Sequence, residues 1–187
     1  MSVTRPPLLW IPGHMCGPWL YAPVLGAWPG EERVLDPLPG ETVAEMAAAL
    51  LGQVRGPVAL AGLSMGGMVA MEAMAAAPGR IAGALLMATD PGPAPARELA
   101  WRAAAVARFE AEGTAGYVDA FVDRFFRHDA VAEVRFGTET RARMGEVDTA
   151  RVVREARALD ARAETTARLG RFAGPVEVVS GAQDRIC

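Results

Sequence analysis

Val58-Ala59-Leu60-Ala61-Gly62-Leu63-Ser64-Met65-Gly66-Gly67 passes from an apolar run into a helical pattern with a single serine at the junction. Residues 58–61 have the length and composition of a buried strand, and residues 65–77 carry Met68, Val69, Met71 and Met74 at helical spacing. Ser64 therefore sits where a strand turns sharply into a helix. Such a turn strains the serine backbone and leaves no room for side chains against the adjoining strand and helix, which accounts for Gly62 and Gly66 two residues to either side. The hydroxyl is pushed into the open, as an attacking group requires.

Working outward, further short apolar runs at 8–11, 33–35, 84–88 and 176–179 read as strands. Residues 41–54 carry Val43, Met46, Ala47, Leu50 and Leu51 on one helical face. Strands alternating with helices predict a parallel sheet with helices packed on it, the α/β class. Pro78-Gly79 ends the helix after Ser64, and Pro29-Gly30 limits any helix after the first strand.

From residue 91 to 162 convincing strands disappear, and alanine, arginine and glutamate recur at helical spacing, which predicts a helical insertion. The chain then divides into a first core part (1–90), a helical cap (91–162) and a second, incomplete core part (163–187). Trp101, Phe109, Tyr117, Phe121, Phe125, Phe126 and Phe136 give the insertion an apolar face. Most of these aromatics are expected to pack the insertion onto the sheet, with substrate contact as the alternative.

At 187 residues and 51% hydrophobic content the chain can bury one substantial core. A net charge of −3, from 19 basic and 22 acidic residues, gives no reason to expect nucleic acid or an anionic membrane as partner. Cys16 and Cys187 make no disulfide framework, and no Cys/His pairs have metal-ligand spacing, so neither metal nor cofactor is expected. The four apolar residues 8–11 are too few for a signal core or a membrane span, and a soluble cytoplasmic protein follows as the expectation.

Three segments now fall in order: Pro12-Gly13-His14 after the first strand, Ser64 in its turn, and Gly181-Ala182-Gln183-Asp184 after a late strand. In this order the chain resembles the α/β-hydrolase superfamily over essentially its whole length, with Ser64 in a nucleophile elbow. The resemblance implies acyl transfer. Ser64 would be the nucleophile, and the backbone N–H groups of Met65 and His14 would form the oxyanion hole. Asp184 would be the acid that orients a histidine base, with Asp90 as second candidate. An ordinary turn at Pro12-Gly13 and a surface Asp184 paired with Arg185 are the plainer readings.

The base breaks the pattern. Members of the superfamily carry their histidine after the acid, yet only three residues follow Asp184 and both histidines, His14 and His128, precede it. His14 reads as part of the oxyanion loop and His128 as a solvated turn, so neither is the expected base. The fold expected is thus a mostly parallel hydrolase sheet lacking its last strand and helix, with the strand at 176–179 an exposed edge. A longer protein is expected, its histidine lying beyond residue 187; the chain alone would be inactive or strongly impaired.

The function implied is hydrolysis of a carboxylic ester of a small molecule. Serine rather than aspartate at position 64 argues against the dehalogenases and epoxide hydrolases of the superfamily. Lyase and carbon–carbon hydrolase members resemble the chain in size and cap placement. A non-catalytic hydrolase-fold binding protein and an inactive fragment are the alternatives from other classes.

Overall fold

In a computed structural model, which describes residues 5–126, 130–182, 184 and 186, the apolar runs assemble into one parallel sheet. Among the described residues the strands are β1 (Leu8–Ile11), β2 (Glu32–Val34), β3 (Val58–Leu63), β4 (Ile81–Met87) and β5 (Val176–Val179), in the order β2-β1-β3-β4-β5. Two strands outrun their sequence limits. Gly62 pairs with Ile11 and Leu63 with Met87, which extends β3 to the foot of the serine turn. β4 starts at Ile81 because Ile81 pairs with Val58, ahead of a register shift between Val58 and Ala59. β2 lies one residue earlier than expected, although the Leu35 N–H still donates to the Trp10 carbonyl at 2.9 Å.

Alternation along β1 sorts the core into two faces. Leu9 and Ile11 join Leu60, Leu86 and the apolar faces of α1 (Val43–Gly52) and α2 (Met65–Ala76). Leu8 and Trp10 face the other way with Tyr21 and Ala61. Helix α1 begins at Val43 and not at 41 because Thr42 caps it, its Oγ1 accepting the Glu45 N–H at 3.1 Å.

Between β4 and β5 the chain is helical. It runs through α3 (Ala96–Phe126), bent at Gly113 (φ 74°), and α4 (Ala130–Ala132), which leads by a π-helical turn (Glu133–Gly137) into α5 (Thr138–Gly145). Helices α6 (Thr149–Asp160) and α7 (Thr166–Leu169) follow. Partly buried ion pairs tie the two ends of this segment together where β4 leaves the sheet. The Arg102 Nε donates to Asp160 at 2.5 Å, and Arg162 donates to Glu98 at 2.7 and 2.8 Å and to the Gly92 carbonyl at 2.9 Å.

The aromatics pack differently from the expectation. Tyr117 and Phe121, backed by Trp101, Phe109 and Phe126, gather around Met15 with Val122, Met144 and Val152, so their cluster closes on the loop after β1 and not on the sheet strands. Phe125 and Phe136 are exposed. At the far side of the sheet all four β5 residues are exposed, and β5 is one of the two edge strands among the described residues, β2 being the other.

Candidate active site

A parallel sheet brings the carboxyl ends of its strands to one rim, where connecting loops can converge. Here the rim carries the loop after β1, Ser64 after β3, Ala88 to Pro91 after β4 and the Asp184 segment after β5. The pairings Ile11 with Gly62, Leu63 with Met87 and Met87 with Val179 set these exits side by side.

Ser64 has φ 51° and ψ −116°, a left-handed backbone conformation that side-chain-bearing residues seldom adopt. The neighbourhood holds it there. Its N–H donates to the Met87 carbonyl at 2.9 Å, and its own carbonyl accepts the Gly67 and Met68 N–H groups at 2.9 and 3.1 Å and the Thr89 hydroxyl at 2.8 Å. A Cβ on Gly66 would run into the Ile11 carbonyl, and one on Gly62 into the Gly66 peptide. Both glycines are therefore dictated by close approach. Met65, the first residue of α2, is buried, and its N–H lies in the helix's opening turn, where amides lack intrahelical acceptors.

The loop after β1 folds over this turn. A Cβ on Gly13 would stand 3.6 Å from the Ser64 Cβ and 3.3 Å from the Leu63 carbonyl. His14 is buried, and its ring is wedged edge-on against Tyr117 and Phe121, with centroids 5.9 and 5.2 Å away. Its Nδ1 lies 2.9 Å from the Glu155 Oε2 and its Nε2 lies 3.1 Å from the Tyr117 hydroxyl. Burial holds the imidazole below its usual value, which favours the neutral ring, and the tautomer that suits both partners donates from Nδ1 to the carboxylate and accepts the Tyr117 O–H at Nε2. Both ring nitrogens are thus engaged away from Ser64.

Glu155 on α6 does more than hold His14. Its Oε2 also accepts the Met15 N–H at 3.0 Å, and its Oε1 accepts the Arg151 Nε at 2.5 Å. Arg151 in turn donates to the Cys16 carbonyl at 2.8 Å and pairs with Asp36 at 2.6 Å. Burial alone would raise Glu155, but the N–H donors and Arg151 outweigh it and the carboxyl stays below its usual range. Burial pushes the Cys16 thiol up to about 12.

Asp184 is half-buried in a turn after β5, where its N–H donates to the Gly181 carbonyl at 3.0 Å and its Oδ1 accepts the Ile186 N–H at 2.8 Å. Asp90 closes a turn of its own, its Oδ1 accepting the Gly92 N–H at 2.7 Å. His128, Gln183 and Arg185 lie outside the described residues. Among the described residues no group of three or more His, Cys, Asp and Glu side chains could hold a metal ion, and no helix is long and apolar enough to cross a membrane.

Sequence reasoning missed Glu155, Arg151 and Asp36, and read Tyr117 as an aromatic of the helical insertion without its bond to His14. A signal for Glu155 was present: it stands among the buried residues Val152, Ala156 and Leu159, on the apolar stripe of α6. A carboxylate on such a stripe must find buried partners.

Solved structures share this architecture. The chain has a TM-score of 0.82 and 22% identity to the enol-lactonase from Burkholderia xenovorans LB400, covering 98% of this chain and 75% of that one. A hydrolase from Pseudomonas aeruginosa PA01 gives 0.77 and 22%, over 97% and 74%. A thermophilic esterase from Thermogutta terrifontis gives 0.74 and 22%, over 98% and 74%. At these identities the likeness is one of fold. No curated protein matches the sequence. The model of the alpha/beta hydrolase family matches residues 8–186, a span that holds all five described strands and the serine turn, and the chain belongs to that family.

Proposed function

We propose that this chain is a serine-nucleophile hydrolase acting on a carboxylic ester of a small molecule. The observation that carries the reading is the backbone of Ser64, held at φ 51° at the head of α2 by glycines that admit no side chain. A strained serine at a helix N-terminus presents its hydroxyl at the tip of the turn with a positive dipole end beside it. The esterase and the enol-lactonase, as their names say, both act on ester carbonyls, which supports the substrate class.

In this reading the Ser64 Oγ attacks the ester carbonyl carbon while its proton passes to a histidine base. The developing oxyanion is met by the Met65 and His14 backbone N–H groups. Collapse of the tetrahedral species expels the alcohol, which takes the proton back, and water then releases the acid by the same steps. Asp184 orients the base. That base is a histidine other than His14, because the His14 nitrogens are given to Glu155 and Tyr117. Residues 91–162 form the cap and set substrate choice, between core parts 1–90 and 163–187.

The occupied His14 also favours a second reading, a hydrolase-fold protein that binds a small ester without cleaving it. Hydrolysis of short p-nitrophenyl esters by the full chain and by Ser64→Ala separates the two. The ester-hydrolase reading expects a loss of roughly 10³-fold or more and labelling of Ser64 by a fluorophosphonate. Equal rates in both chains overturn it.

A further inference from the structure

Glu155 touches none of the atoms that the proposed attack uses, yet it and Arg151, one helical turn apart on α6, grip three consecutive residues of the loop over Ser64. Glu155 holds the His14 imidazole and the Met15 N–H, and Arg151 holds the Cys16 carbonyl. The loop needs such a grip. Met15 has φ 59°, a left-handed conformation that is strained for a residue with a side chain. The Gly13–His14 peptide, whose N–H the ester-hydrolase reading assigns to the anion, is restrained when the ring of His14 and the amide that follows it are held.

We propose that Glu155 is a positioning residue, which with Arg151 clamps the loop at residues 13–17 so that the His14 amide is set for the anion formed at Ser64. The proposal rests on the ester-hydrolase reading and deepens it. The helical segment then does more than cover the site: one turn of α6 sets half of the site's anion-binding geometry. Tyr117, from α3, completes the clamp by holding the far side of the His14 ring.

The test uses Glu155→Gln, Tyr117→Phe and Ser64→Ala in the full chain, with two readouts: amide hydrogen exchange at residues 13–17, and kcat and KM for p-nitrophenyl acetate. A glutamine fills the same space but cannot accept from His14, Met15 and Arg151 together, since one of its two ends is a donor. Glu155→Gln is expected to speed exchange of the loop amides while β3 and α2 stay protected. It should lower kcat about 10- to 100-fold with KM within about threefold, because the contact matters in the transition state. Tyr117→Phe, nearly isosteric, should move both in the same direction by less, and decides alone if Glu155→Gln does not fold.

Loop exchange unchanged in the variants overturns the proposal. So does a loosened loop with kcat intact, or a kcat loss accompanied by equal loosening of β3 and α2, which is general destabilisation. If Ser64→Ala retains the parent's turnover, the ester-hydrolase reading fails. The catalytic part of the proposal then fails with it, and the exchange readout still decides the clamp.

Discussion

His14 and Glu155 are separated by 141 positions in the chain, and their side chains meet at 2.9 Å with almost no exposure to solvent. A contact of that span joins the loop after β1 to the last long helix before β5, so the two cannot move independently.

The pair makes stability depend on pH with a definite sign. Burial holds folded His14 below 6.5, so as pH falls below that value the unfolded chain takes up a proton the folded chain refuses, and stability drops. Glu155 acts in the same direction lower down, its contribution complete above 4.5 and draining below it. Asp36, raised by burial, opposes them. The melting temperature is expected to fall between about pH 6.5 and 5, and His14→Asn should flatten that slope. Parallel slopes for the two chains would contradict the assignment of a buried neutral His14.

Gly66→Ala tests the close approach of the serine turn to β1. The new methyl group meets the Ile11 carbonyl, a backbone atom that cannot rotate aside. Destabilisation of about 3 kcal/mol in urea unfolding is expected, at the upper end for overpacking. A cost near zero would mean the turn sits further from β1 than described.

Arg162 anchors the end of the helical segment by bonds to Glu98 and to the Gly92 carbonyl. Arg162→Gln removes one of the two charges that Glu98 faces, Arg102 being the other, and should cost about 2 kcal/mol, the range for hydrogen bonds to charged groups. Denaturant midpoints compared at equal slope give the value; a midpoint matching the parent's would show that the pair is worth nothing.

Cys16 should be inert. Its thiol is buried and raised to about 12, leaving negligible thiolate at neutral pH. In a Cys187→Ser background the native chain is expected to ignore a disulfide reagent such as dithionitrobenzoate and to react once unfolded. Fast native labelling would mean that the loop opens readily.

Much of the fold was legible because strands and helices leave local signals: the apolar runs gave the five strands, and the glycines around Ser64 gave the turn. Strand limits slipped where pairing and not composition sets them, as at Ile81 and Leu63. Thr42 shortened α1 through a cap that hydrophobic spacing does not report. The Glu155 network was illegible for a different reason, since its members come from β1's loop, residue 36, α3 and α6, and only the fold juxtaposes them. Periodicity marks Glu155 as facing inward but cannot say what it meets.

The exposed strand β5 has one further consequence. It pairs with β4 alone among the described residues and all four of its side chains face solvent, whereas β3 lies between β1 and β4. Among the described residues Asp184 therefore follows a strand paired on one side, and Ser64 follows a strand paired on both. Local opening free energies should rank accordingly. Asp184 and Ser64 then belong to different cooperative units of the described sheet.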